Sequence, residues 1–162
     1  MLTQISPNVW QLYFDTFGST VYVLKINGKN IIIDTSSQDN EEELLNDLSE
    51  LELTPEKINF VILTHSHWDH TGNLELFTNA KIITAEKNLD ELPNELKPIK
   101  TPGHTSDSIC FLYKDVLFSG DTIFHNDGQG RTDLPTGSEK QIQESIKNLK
   151  TLKYNILCPG HI

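Results

Sequence analysis

Residues 65–70 read His-Ser-His-Trp-Asp-His directly after an apolar run, and no other stretch constrains the fold as much. The first two histidines are two positions apart. In an extended or turn segment they project to the same side. Asp69 and His70 are adjacent and project differently, which suits them to a second ion. Three more residues of ligand type lie downstream: His104 in Thr-Pro-Gly-His-Thr, Asp121 in Phe-Ser-Gly-Asp-Thr and His161 in Cys-Pro-Gly-His-Ile. Five of the six histidines are thereby used, and His125 alone is left over. Imidazole and carboxylate are the donors Zn²⁺ accepts when cysteine is not used, and seven of them suffice for two ions. Each donor segment follows a strand-like apolar run, a weaker one (98–101) for His104. Ligands at the ends of several strands can converge along one sheet edge, on rigid supports. Gly103, Gly120 and Gly160 each directly precede a ligand, where a tight backbone turn is expected.

The remaining pattern is mixed. Residues 9–14, 20–26 and 30–34 read as strands, and Asn27-Gly28 between the last two is a strong hairpin signal. Residues 39–53 read as a helix, with Asp39 and Glu42 as a capping box and Leu44, Leu45, Leu48 and Leu51 as an apolar stripe. Residues 58–63 form a buried strand, and 81–84 another short one. Residues 108–113 and 116–119 make a hairpin around Lys114-Asp115. Residues 138–152 read as a second amphipathic helix, capped by Ser138 and Gln141, and 154–158 as the last strand. The expected class is α/β in the broad sense (α+β), sheets covered by helices, in one domain spanning residues 1–162.

Composition narrows the partners. The formal charge of −10 argues against nucleic acid, which needs a basic footprint. Two Zn²⁺ and a bridging hydroxide would add about +3 locally. An acidic shell around a positive pocket suits a small anionic or polarised substrate. The N-terminal residues lack a basic and apolar leader pattern, and no apolar run nears the ~20 residues of a membrane span. A cytoplasmic protein without a membrane partner is expected. Cys110 and Cys158 sit in apolar runs and read as buried thiols.

The motifs His-Ser-His-Trp-Asp-His-Thr-Gly, Thr-Pro-Gly-His-Thr, Phe-Ser-Gly-Asp-Thr and Pro-Gly-His together resemble the metallo-β-lactamase superfamily. The resemblance implies an αβ/βα four-layer sandwich in a minimal version. It implies that His65, His67 and His104 bind a first metal. Asp69, His70 and His161 would bind a second, with Asp121 bridging the two. Asp34, ending the strand Ile-Ile-Ile-Asp, matches an aspartate that supports the site. Residues 120–137, with Gly-Arg-Thr-Asp, look like the glyoxalase II-like (hydroxyacylglutathione hydrolase-like) branch and its persulfide dioxygenase relatives. Among the thirteen basic residues Arg131 is the one arginine. A planar fork clamps carboxylates well, so Arg131 is a substrate-side candidate, and a salt bridge to Asp133 is the competing reading. His125 reads as a solvated loop residue.

Two departures from that branch shape the expectation. The stretch 85–101 is brief, and the chain stops one residue after His161. An open site of broad specificity and slow turnover is expected, with glutathione thioesters disfavoured. Missing cover would also leave an apolar face that favours a homodimer. The expected activity is a dinuclear zinc-dependent hydrolase, in which a metal-bridging hydroxide attacks a carbonyl. Thioesters come first as substrates, lactones and β-lactams next, and Asp69 serves as the catalytic carboxylate. The alternatives are an oxygen-dependent enzyme with one Fe²⁺ on His65, His104 and Asp121, similar to persulfide dioxygenases, and a metal-dependent nuclease.

Overall fold

Short runs of Val, Ile and Leu between turn residues build most of the chain's strands. The computed structural model describes every residue from Met1 to Ile162. Its backbone divides into two units, Met1–Ile83 and Thr84–Ile162.

The first unit holds a six-stranded sheet in sequence order: β1 (Leu2–Ser6), β2 (Val9–Leu12), β3 (Val21–Ile26), β4 (Lys29–Ile33), β5 (Phe60–Ile62) and β6 (Lys81–Ile83). The first four strands are antiparallel, while β4, β5 and β6 run parallel. Asn27 (φ 50°) and Gly28 (φ 74°) both occupy the left-handed region, as a two-residue hairpin between β3 and β4 needs. β1 was not expected. Its residues, Leu-Thr-Gln-Ile-Ser, lack apolar alternation, and its register on β2 shifts between Gln4 and Ser6. Pairing at the sheet edge makes it a strand, and pairing is not visible in local sequence.

Parallel β4 and β5 need a crossover, and α1 (Glu41–Glu50) supplies it. The helix is shorter than the expected 39–53, and the Asp39–Glu42 capping box does not form. A 3₁₀ turn, Gln38–Asn40, leads in instead, and no side chain caps either start. The Asn40 amide donates outward, to the Thr16 carbonyl (3.2 Å) and to Ser36 Oγ (2.9 Å). Tertiary hydrogen bonds have displaced the local cap. Leu44 and Leu48 bury fully in a cluster with Leu12, Phe14, Val21, Val23, Ile32, Val61 and Phe77. Burial of each such side chain is worth about 1.5–3 kcal/mol.

The second unit holds a four-stranded sheet in the order β10-β9-β8-β7, made of β7 (Leu96–Lys100), β8 (Ile109–Tyr113), β9 (Val116–Gly120) and β10 (Ile156–Pro159). β7, β8 and β9 are antiparallel, and β10 joins β9 in parallel. The crossover is α3 (Glu139–Leu149), and here the expected cap is present: Ser138 Oγ accepts from the Gln141 amide at 3.4 Å. Cys110, Leu117, Ile123 and Leu149 form the cluster between this helix and its sheet. No helix of the protein is long and apolar enough to cross a membrane.

Each unit thus contains a hairpin, a crossover helix and a strand parallel to the hairpin's second strand. In the first, Asp34 follows β4, and Thr64 and His65 lie just beyond β5. In the second, Asp121 follows β9 and His161 lies just beyond β10. The carboxyl ends of parallel strands, where backbone hydrogen bonding stops, are where such sheets place ligands.

Candidate metal centre

In the first unit the donors rest on a buried hydrogen-bond frame. Asp34 is 2% exposed and sits at φ 58°, a left-handed conformation that aspartate tolerates better than most residues. Its Oδ1 accepts from the Thr64 amide at 2.8 Å. Its Oδ2 accepts from Thr64 Oγ1 at 2.8 Å and from His70 Nδ1 at 2.7 Å. A carboxylate on Nδ1 holds that nitrogen protonated and leaves His70 Nε2 with a lone pair, the arrangement that orients metal-binding histidines. Since the Thr64 hydroxyl donates to Asp34, it receives the Nδ1 proton of His65, 3.1 Å away. His65 Nε2 therefore carries the lone pair as well. It lies 3.1 Å from Nδ1 of His67. Two ligand nitrogens on one tetrahedral cation with bonds of about 2.0–2.1 Å are a little over 3 Å apart, so this separation fits a shared ion.

Residues 68–71 form a one-turn helix, α2 (Trp68–Thr71), with His67 at its N-terminal flank. Successive helical residues project about 100° apart, so Asp69 and His70 point differently, as read from their adjacency. Backbone bonds pin it: the Ser19 amide donates to the Asp69 carbonyl (2.8 Å) and the Thr35 amide to the His70 carbonyl (2.7 Å). The Asn73 amide nitrogen donates to the carbonyls of Thr35 and Ser37, both at 2.7 Å.

In the second unit His104, Asp121 and His161 come together. Asp121 Oδ2 lies 3.5 Å from Nε2 of His104 and 3.5 Å from Nε2 of His161. His104 Nδ1 faces the Arg131 carbonyl at 2.7 Å, so it donates there and turns Nε2 toward Asp121. The ring of Phe124 meets that of His161 edge to face at 6.2 Å. Of the three glycines expected to turn the chain before a ligand, Gly103 (φ 144°) and Gly120 (φ 49°) adopt positive φ and Gly160 does not. Both units present His and Asp donors consistent with a divalent-metal site.

A family model of the metallo-β-lactamase superfamily matches residues 14–95 and 83–161. The chain belongs to the metallo-β-lactamase superfamily. A "Probable metallo-hydrolase" of Methanocaldococcus jannaschii is 36% identical over 143 residues, covering 81% of this chain and 70% of the relative. The crystal structure of ETHE1 from Myxococcus xanthus matches with a TM-score of 0.75 at 26% identity, covering 94% of this chain and 74% of that one. TTHA1623, crystallised in a di-iron-bound form, has a TM-score of 0.74 at 21% identity, covering 89% of this chain and 87% of that one. These likenesses give the chain the metallo-β-lactamase fold, of mixed α and β class, and membership supports a metal-dependent enzyme of the metallo-hydrolase kind.

Two supports of this superfamily member's site were not read from its sequence. Thr64 organises Asp34 and His65 at once, and its only signal was its place between the apolar strand and the first histidine. The backbone of Gly130 and Arg131 is the other. A Cβ on Gly130 would lie 2.1 Å from the Asp121 carbonyl and 2.8 Å from His104 Nδ1. The Gly-Arg-Thr-Asp segment therefore orients His104 through the Arg131 carbonyl and packs its main chain closely against that of Asp121. The Arg131 side chain forms the competing salt bridge: Nε and Nη2 each donate to Asp133 at 2.7 Å on an exposed loop. Asp133 is pushed down to about 2 by those hydrogen bonds. His125 opens an exposed 3₁₀ turn, His125–Asp127, beside a cavity of about 310 Å³ that Phe124, Lys150 and Tyr154 also line. Both thiols are buried, and burial pushes Cys110 up to about 11 and Cys158 up to about 12.

Proposed function

We propose that the protein is a dinuclear zinc-dependent hydrolase of small molecules, with acyl thioesters such as hydroxyacyl thioesters as its first substrate class and lactones or β-lactams next. The observation that carries this reading is the position of Asp121 Oδ2, equally 3.5 Å from the Nε2 atoms of His104 and His161. One carboxylate between two imidazoles suits a ligand shared by two ions better than a single shell. His65, His67 and His104 would hold the first ion, Asp69, His70 and His161 the second, and Asp121 both. When bound, such a pair supplies an activated water and polarises the substrate carbonyl.

The chain's own residues do the rest. Asp34 and Thr64 keep protons on the Nδ1 atoms of His70 and His65, so each presents Nε2. Asp69 orients or accepts a proton on the attacking side. Arg131 is the candidate for a substrate carboxylate, and such a group must displace Asp133 from the guanidinium. A cytoplasmic setting belongs to the same proposal. The net charge of −10 and the single arginine disfavour a nuclease.

A second reading has support of its own. TTHA1623, which shares the fold, binds iron in its crystal structure, and one Fe²⁺ on His65, His104 and Asp121 of this chain is the alternative. Metal analysis of protein purified with and without oxygen, paired with a panel of thioester, lactone, β-lactam and phosphodiester substrates, separates the two. Two zinc ions per chain with thioester turnover abolished by Asp69→Asn support the first reading. One iron per chain and no zinc overturns it.

A further inference from the structure

His104 turns Nε2 toward Asp121 because its Nδ1 donates to the Arg131 carbonyl at 2.7 Å. A carbonyl orients a ring only as well as its own peptide is held. The Gly130–Arg131 pair is fastened on both sides to one side chain, Glu139, in the first turn of α3. Before the pair, Gln129 Nε2 donates to Glu139 Oε1 at 3.3 Å and to Oε2 at 3.4 Å. After it, Thr132 Oγ1 donates to Oε2 at 2.9 Å. Gln143, one turn further along α3, closes the ring: its Nε2 donates to Glu139 Oε1 at 2.9 Å and to Gln129 Oε1 at 2.7 Å. These bonds, that of Gln143 first, then those of Thr132 and Gln129, hold the Glu139 carboxyl below its ordinary value, so it is ionised at neutral pH. Hydrogen bonds to an ionised acceptor are roughly twice as strong as neutral ones.

The same helix grips the loop that carries His104. The Ser138 amide donates to the Gly103 carbonyl at 2.7 Å, and Ser145 Oγ donates to the Pro102 carbonyl at 2.8 Å. A Cβ on Gly103 would lie 2.2 Å from the Ile142 amide nitrogen, so this loop is pressed onto the helix. The histidine's loop and the strap that accepts its proton are thus both fastened to α3, the first chiefly by backbone and the second by Glu139. We propose that Glu139, which lies in none of the ligand motifs, is a positioning residue that fixes which nitrogen His104 offers. The consequence for zinc rests on the hydrolase reading above, whereas the hold on the His104 proton does not. The staple is exposed and adds little to global stability, so its loss should register at His104 rather than in unfolding.

Nitrogen-15 NMR of the His104 ring in the metal-free protein, paired with calorimetric zinc titration, tests it. The wild type should show Nδ1 alone protonated. In Glu139→Gln the side chain no longer accepts at both ends, so the strap loosens. Both tautomers should then appear, and zinc affinity should fall about three- to tenfold, less than the roughly 10–100-fold that a ligand's direct partner is worth. Glu144→Gln removes the same charge from an exposed position of the same helix and should change neither readout. Exchanging the pair, Gln129→Glu with Glu139→Gln, lets the amide at position 139 donate to the carboxylate at position 129 and should restore both. An unchanged His104 spectrum in Glu139→Gln overturns the proposal. So does an equal loss in Glu144→Gln, or a loss that the exchange does not restore. Should Glu139→Gln fail to fold, Thr132→Val removes one bond of the staple and carries the same expectations. A wild-type protein that takes up no zinc, while its His104 tautomers still respond to Glu139→Gln, supports the positioning role and overturns the zinc reading instead.

Discussion

Replacing Asp34 by Asn tests whether this buried carboxylate governs His70. The change is nearly isosteric, and asparagine tolerates φ 58°, so backbone strain does not confuse the outcome. The remaining oxygen can keep the Thr64 amide, the 2.8 Å bond now made to Oδ1. The new NH₂ group then faces Thr64 Oγ1 and His70 Nδ1, at present 2.8 Å and 2.7 Å from Oδ2. The hydroxyl can rotate to accept. His70 must move its proton to Nε2, the nitrogen that the carboxylate now leaves with a lone pair. Two hydrogen bonds to a charged acceptor, each worth about 1.5–3 kcal/mol, are lost or weakened, and the new partners recover part of that, so a net cost of about 2–4 kcal/mol is expected. Zinc affinity should fall about 10–100-fold, the usual consequence of losing the partner that orients a ligating histidine. Urea unfolding of the metal-free protein measures the first quantity and calorimetric zinc titration the second. Nitrogen-15 NMR of the His70 ring reads the tautomer directly. A variant that keeps Nδ1 protonated, binds zinc with unchanged affinity and loses under 1 kcal/mol would refute the reasoning.

Gly130→Ala should lower zinc binding without replacing any donor residue, because its Cβ would overlap the Asp121 carbonyl and the His104 ring. Wild-type metal stoichiometry after dialysis would count against the main-chain role of that segment. The thiols, raised to about 11 at Cys110 and about 12 at Cys158, should stay unreactive toward a disulfide reagent at pH 8 and react fully in urea. For Asp133, lowered to about 2 by its hydrogen bonds from Arg131, the folded value lies below the unfolded one. Its contribution is therefore present above the ordinary carboxylate range and is lost as pH falls through about 2. A carbon-13 NMR titration of the Asp133 carboxyl should show that midpoint, and a midpoint near 4 would mean the salt bridge does not persist in solution.

Much of the centre was legible because its chemistry resides in residue type and short spacing. His65, His67, Asp69 and His70 share one hexapeptide, and no folding is needed to recognise that three imidazoles and a carboxylate suit a divalent metal. Gly103 and Gly120 announced their turns through the absence of a Cβ. The hairpin at Asn27-Gly28 and the Ser138 cap are local in the same sense, since each is settled by neighbours a few residues away. What depended on distant partners was misread or missed. Asp39 promised a cap, but the Asn40 amide and the preceding 3₁₀ turn took that start in another direction. β1 exists through its pairing with β2, and α2 through bonds to Ser19 and Thr35.

The sequence by itself supplied histidine and aspartate donors consistent with a divalent-metal site, because ligand preference is a property of side-chain atoms. Only the tertiary structure decided how those donors are aimed. The Asp34–Thr64–His70 frame, the Arg131 carbonyl on His104 and the equal reach of Asp121 to two histidines join residues 17 to 40 positions apart. Such bonds form only after burial has brought the strands' ends together, so no local pattern records them.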